Sequence, residues 1–298
     1  MTYPRAHLID AERPGFYHIV SRCVRRAFLC GIDPVSGHSY QHRRAWIEAR
    51  LLHLASLFSL EVYAYAVMRN HYHVVIRLNP AQALTWSNAE IAQRWVDINP
   101  PRNLGTIDQT QRQCRIQALL DNPVRLNLCR QRLRSLSWYM RFLNHPIACR
   151  ANQEDHCRGH FWEARYKSFA LLDETAVIAC MAYVDLNPIR AMTAVSLAGS
   201  DHTSIKQRLK RPDRTDLAPL PVAQDSTHNP FRLSLTAYVT YLQRTGLIPA
   251  TIRSPPDARI RAQVLSMATY QRAYGTRETI ELWITTIGQQ WAKGTALP

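Results

Sequence analysis

The sequence predicts an α/β (α+β) fold built on an antiparallel sheet, and three observations predict it. Residues 16–24 (FYHIVSRCV) alternate and are rich in β-branched and aromatic side chains, as a strand is. Residues 41–58 place Trp46, Leu51, Leu54, Ala55 and Phe58 at a spacing near 3.6, with charges between, as an amphipathic helix does. Residues 61–68 and 72–78 are two strand-like runs around the polar break Arg69-Asn70, the pattern of a hairpin. The opening order is therefore strand, helix, strand, strand.

The remaining elements follow in order. Asp33-Pro34 and Ser36-Gly37 are turn signals between the first strand and helix. Residues 79–135 are polar and broken at Asn99-Pro100-Pro101, Leu104-Gly105 and Asn122-Pro123, which reads as an insertion of short helices. A helix over 135–143 carries Trp138, Tyr139 and Phe142 on one face, a spacing that fits burial better than base stacking. Residues 161–172 alternate as a strand or hairpin arm. Asp173 is a natural N-cap, Glu174 sits in the first turn, and a helix runs to about 186, where Pro188 is expected to stop it. Residues 206–230 are loop-like, and helices are expected over 234–245, 257–270 and 277–291. The chain thus divides into a mixed region, 1–200, and a basic helical region, 201–298.

Composition narrows the partners. In 298 residues, 37 Lys and Arg stand against 22 Asp and Glu, a formal charge of +15. The hydrophobic share of 46% supports a real core and excludes a disordered basic tail. Such an excess fits a polyanion, nucleic acid above all. It is dense between Asp121 and Glu154, where no carboxylate intervenes among Arg125, Arg130, Arg132, Arg134, Arg141 and Arg150. Seven cysteines at irregular spacing, with no C-x-x-C pair, read as reduced thiols. No secretory signal is expected from the first residues, and no run reaches the roughly 20 apolar residues of a membrane helix. A cytoplasmic protein without a membrane partner is the expectation. His145, Cys149, His156, Cys157 and His160 lack the close cysteine pair that a structural zinc site favours.

Two pairs of residues carry chemistry. His71 and His73 are two apart on a predicted strand, so both imidazoles face one side and Tyr72 the other. Such a pair can begin a divalent-metal site or simply lie on a solvated sheet face. Tyr183 and Asn187 are four apart on a predicted helix, so phenol and carboxamide project together, with Ala176 and Ala179 leaving space on that face. Alone, Tyr183 reads more often as a core aromatic than as a nucleophile, and Asn187 reads equally as a helix stop.

The combination resembles a known family. The His-hydrophobe-His pair after a strand–helix–strand opening is similar to the metal motif of HUH-class single-strand DNA endonucleases. RPGFYHIVSRCVRRAFLCG, YAVMRNHYHVVI, FWEARYKSFALLDE and AYVDLNPIRA resemble segments of the REP-associated tyrosine transposases, over residues 14–79 and about 158–195. Arg69 departs from the proline that many members carry before Asn-His. The resemblance implies a ferredoxin-like sheet with packed helices, the HUH endonuclease fold. It implies His71, His73 and Asn187 as ligands of a divalent cation, Mg²⁺ or Mn²⁺, and Tyr183 as nucleophile, with Tyr166 as a competing candidate. No small-molecule cofactor is implied. The partner would be single-stranded, hairpin-forming DNA, held on Arg22, Arg25, Arg26, Arg165, Lys167 and Arg190, each of which is equally readable as a solvated charge. The activity would be transposition through a 5′-phosphotyrosine. The rivals are a nucleic-acid-binding regulator without cleavage and a zinc hydrolase using His71 and His73. Residues 201–298 could bind DNA, pack on the catalytic region or hold a second protomer in a homodimer.

Overall fold

A computed structural model describes residues 9–24, 29–33, 37–210, 233–249, 255–289 and 294–297. Strand β1 (Gly15–Arg22) is followed by helix α1 (Arg43–Ala55) and the hairpin β2 (Leu60–Val67) and β3 (His71–Leu78). The insertion supplies α2 (Gln82–Thr85), α3 (Asn88–Asp97), α4 (Gln109–Leu120) and α5 (Pro123–Leu133). Helices α3, α4 and α5 start where the sequence offers caps: Ser87 and Glu90 form a capping box, and Asp108 and Asn122 each accept from a backbone N–H three residues on. One correction to an all-helical insertion is a two-residue ribbon, β4 (Arg102–Asn103) with β5 (Thr106–Ile107). Its turn is Leu104-Gly105, both at positive φ, as a tight primed hairpin turn requires.

Helix α6 (Leu136–Glu154) runs well past the expected 143 and carries Pro146 in its interior. A proline there removes the N–H that would bond the carbonyl four residues earlier. That carbonyl, Phe142 O, accepts instead from Arg50 Nε of α1 at 3.2 Å. Tyr139 is buried, while Trp138 and Phe142 pack half-buried against Trp95, so these aromatics face protein.

Strand β6 is only Lys167–Leu171, a second correction. The preceding 157–166 leave the ladder except for a single bridge between Cys23 and Trp162. Trp162 Nε1 donates to Asn144 O of α6 at 2.9 Å, so this loop is tied to a helix, with Glu163, Ala164 and Arg165 exposed. Asp173 caps α7 (Glu174–Asp185) as expected, its carboxylate accepting from Ala176 N at 2.8 Å. Pro188 does not end helical structure. It sits in the first turn of α8 (Asn187–Arg190), where its missing N–H costs nothing.

The sheet order is β2-β3-β1-β6, then β7 and β8. Each neighbouring pair among the first four strands is antiparallel, with β3 between the parallel β2 and β1, a ferredoxin-like split β-α-β arrangement. Tyr17, Ile19, Tyr72, Val74 and Ile76 face α1 and α6 in one core. Val20, Val75, Ala64, Ala66 and Phe169 face α7 in another.

The region after 200 is not purely helical. It contains α9 (Ser204–Lys210), α10 (Leu235–Arg244), α11 (Ala258–Ser266), β7 (Ala273–Gly275), α12 (Arg277–Thr286) and β8 (Gly294–Ala296). The expected helix over 257–270 ends at Ser266 and becomes a 3₁₀ turn, Met267–Thr269. Strand β7 pairs parallel with β6, and β8 with β7. The buried Asp185 of α7 accepts from Ser204 Oγ, Ile205 N (3.0 Å) and Tyr238 Oη (2.8 Å), which fastens α9 and α10 to α7.

Arg43, fully buried at the start of α1, pairs with Glu154 (2.7 Å) and Asp155 at the end of α6. Removing one partner of such a pair leaves charge uncompensated. Arg43→Ala should lower the unfolding free energy by about 3 kcal/mol in urea titrations. Arg77→Ala, at the more exposed Glu61 pair, should cost under about 1 kcal/mol.

Candidate active site

The site forms on the α7 face of the sheet. On β1 and β3 the register sets Arg22 opposite His71 and Val20 opposite His73. His18, two residues back from Val20, is therefore a diagonal neighbour of His73 on the same face. The rings of His71 and His73 are 4.7 Å apart, and those of His18 and His73 stack at 5.1 Å and 19°. Tyr183 of α7 lies edge-on above them, 5.6 Å from the His73 ring and 6.0 Å from His18. The structure thus brings His71, His73 and Tyr183 together from separate elements.

Two neighbours occupy the Nδ1 atoms of the histidine pair. His71 Nδ1 is 2.6 Å from Asn70 Oδ1. An amide oxygen only accepts, so Nδ1 donates and Nε2 of the neutral ring is bare. His73 Nδ1 is 2.9 Å from His18 Nε2. All three rings are held below their ordinary protonation range, first by burial: His18 is lowered to about 3, His71 to about 4, and His73 well below 6.5. Nearby positive charge adds to this, from Arg22 at His71 and from Arg190 at His73. Neutral imidazole is the form that ligates a metal.

The residues fit a divalent cation on one observation in particular. His73 Nε2 is a buried side-chain atom with no hydrogen-bond partner; Asn187 Nδ2 is unpartnered as well, but an amide nitrogen only donates, so the Asn187 oxygen is the atom that would ligate. Among the described residues no three His, Cys, Asp or Glu side chains converge as a metal site, so a cation held by His71 and His73 would need a carboxamide or water as a further ligand. Asn187 is 8% exposed and lies one turn beyond Tyr183, across the break at Leu186. The guanidinium of Arg190 stands 4.5 Å over the Tyr183 ring.

A cavity of about 300 Å³ opens beside His71. Arg22, Arg165, Lys167 and Tyr270 line it, so three of the expected phosphate-track residues meet there. Arg25 and Arg26 lie outside the described residues. Tyr166 is elsewhere. It is buried in the α1–α6 core, its hydroxyl 3.2 Å from Ser137 Oγ, and does not join the histidines. A larger groove of about 580 Å³ adjoins this cavity through Glu163, Ala164 and Arg165.

Three residues at the site were not singled out from sequence: His18, Asn70 and Tyr270. The alternation of 16–24 puts His18 on one face of a strand, a signal that was available but had no partner until β1 met β3. Tyr270 comes from the C-terminal region, in left-handed backbone (φ 51°). Its ring stacks on Phe169 at 5.5 Å and lies under Lys167 Nζ at 5.5 Å, and its phenol interacts with that of Tyr183. Burial pushes the Tyr270 phenol up to about 12.

No protein-family model matches the chain. No curated protein matches it either. Among solved structures it is similar to a REP-associated tyrosine transposase bound to a REP hairpin, with 14% identity and a TM-score of 0.37, over 78% of this chain and 99% of that one. At that distance the likeness transfers no residue role.

Depressed imidazole protonation has a measurable consequence. A ring that resists protonation only when folded contributes stability that is present above about 6.5, its unfolded value, and lost as pH falls. For His71 the loss extends down through its folded value of about 4. Metal-free protein should therefore show a denaturant midpoint that drops from pH 7.5 to 4.5. His71→Gln should flatten that slope, and an unchanged slope would assign it to other groups.

Proposed function

We propose that this chain is a metal-dependent single-stranded DNA endonuclease and strand transferase, a transposase acting at hairpin-forming repeats through a 5′-phosphotyrosine. The observation that carries the reading is the packing of Tyr183 on His73, whose buried Nε2 has no partner, with the half-buried His71 beside it on a cavity lined by Arg22, Arg165 and Lys167.

His71, His73 and Asn187 would hold the cation, Mg²⁺ or Mn²⁺, which when bound supplies positive charge to the scissile phosphate. Two imidazoles are softer than the all-oxygen shell Mg²⁺ favours, which tilts the choice to Mn²⁺. The other steps belong to the chain. Tyr183 Oη bonds to phosphorus and gives up its proton to solvent, the P–O3′ bond breaks with its electron pair on O3′, and O3′ takes a proton from solvent to become a 3′-hydroxyl. Attack by a 3′-hydroxyl reverses the step and rejoins DNA, because the phosphotyrosine conserves the ester. Arg190, beside the Tyr183 ring, is placed to meet phosphate charge near the new bond. Arg22, Arg165 and Lys167 position the flanking backbone and carry no sequence information themselves. On this reading the strand that enters the cavity is unpaired.

No helix among the described residues is long and apolar enough to cross a membrane; a cytoplasmic, DNA-directed role is part of the proposal. One observation favours a second reading, a nucleic-acid-binding regulator without cleavage: Tyr183 is only 4% exposed.

Incubation with 5′- and 3′-labelled single-stranded hairpin DNA and Mn²⁺ or Mg²⁺ separates the two. Wild type should give a denaturant-resistant protein–DNA adduct that EDTA prevents and Tyr183→Phe abolishes, while Tyr166→Phe retains it. Adduct from Tyr183→Phe would reject this nucleophile. Hairpin binding without adduct, with either metal, would establish the regulator.

A further inference from the structure

We propose that His18 is a positioning residue that receives the Nδ1 proton of His73 and so turns a bare Nε2 toward the cation. The inference rests on the metal-site reading above and adds to it a residue outside the ligand set.

A neutral imidazole has one N–H and one lone pair. If His73 carries its proton on Nε2, the atom facing the site is a donor and cannot ligate. If the proton is on Nδ1, Nε2 is free. For His71 the matter is settled by the amide oxygen of Asn70. His73 has no such oxygen within hydrogen-bond reach. Its Nδ1 meets only His18 Nε2, at 2.9 Å, with both rings wholly buried. For Nε2 of His73 to be bare, His18 Nε2 must accept, and the proton of His18 must then sit on its own Nδ1.

That atom is also buried and has no partner. A buried donor without an acceptor burdens the folded state, and an apolar residue at position 18 would relieve it. The arrangement brings a return only if His73 must present a lone pair. His18 cannot readily turn away, being packed between Phe169 (5.6 Å) and Tyr183 (6.0 Å) and stacked on His73 itself. Groups that accept from a ligand's second nitrogen fix its tautomer and raise its basicity.

The test is Mn²⁺ binding to the full-length, DNA-free protein, read by electron paramagnetic resonance of the free ion, together with unfolding temperature in EDTA. His18→Phe keeps a ring of similar shape and removes the acceptor, and His18→Gln restores an accepting oxygen. The expected result is a fall of about 10- to 100-fold in Mn²⁺ affinity for His18→Phe, an unfolding temperature no lower than wild type, and recovery of most of the affinity in His18→Gln. His18→Phe binding Mn²⁺ as wild type does would overturn the inference. Equal losses in Phe and Gln variants would also overturn it, by showing that packing and not acceptance matters. If His18→Phe does not fold, His18→Leu takes its place in the same comparison. Failure of the metal-site reading would look different: wild type and His71→Gln would both lack saturable Mn²⁺ binding.

Discussion

Along β3, Tyr72, Val74 and Ile76 enter one core while His71, His73 and Val75 face the other, and the pairing with β1 holds this partition in place. A slip of one residue would turn Tyr72 to the α7 face and drive His71 and His73 into the packed layer under α1 and α6. The apolar side therefore specifies the polar side. Tyr72, Val74, Ile76, Tyr17 and Ile19 are all but fully buried against two helices, and that burial sets the register. Given the register, Arg22 stands opposite His71 and His18 diagonal to His73, with no further instruction needed.

Helix α7 completes the site from above and is buried along most of its length. Small residues, Ala176, Ala179 and Ala182, let it lie close to the sheet, near enough for the Tyr183 ring to touch the histidine rings. Asp185, two residues on, turns to the opposite partner and binds α9 and α10. Asn187 follows after a one-residue break. Three successive odd positions thus serve the sheet face, the C-terminal region and the helix junction in turn. A helix stressed from two sides has little freedom to rock, so the phenol is held by packing as well as by its ring contacts.

Much of this was readable from sequence because it is local. The alternation of 16–24, the 3.6 period of 41–58 and the break at Arg69-Asn70 define β1, α1 and the hairpin without reference to anything distant. The i, i+2 histidines and the i, i+4 pair Tyr183–Asn187 are local patterns as well. What escaped depends on partners far along the chain. Pro146 looks like a breaker until Arg50 reaches the carbonyl it frees. Residues 161–166 alternate like a strand, yet Trp162 is claimed by Asn144. His18 is one polar residue in a strand until it lies beside His73, and Tyr270 has no local signature for reaching Tyr183. Arg165 and Lys167 are ordinary surface charges until the fold sets them beside Arg22 and His71.

The segments after residue 200 also decide what the sheet can join. Left to itself, the four-stranded antiparallel sheet would end in two open strands, β2 and β6. Along β2, the stretch from His202 to Ser204 takes up the margin: Val67 N donates to His202 O, Ala66 bridges Thr203, and Tyr65 N donates to Ser204 Oγ. Along β6, Ala170 N donates to Arg272 O and Leu172 N to Tyr274 O. Open strand margins recruit strands from other molecules. A chain ending near 200 would present two such margins, one of them beside the Lys167 wall of the cavity, and would tend to self-associate through backbone pairing. The C-terminal region therefore acts as a pair of selvedges that cover the margins of β2 and β6.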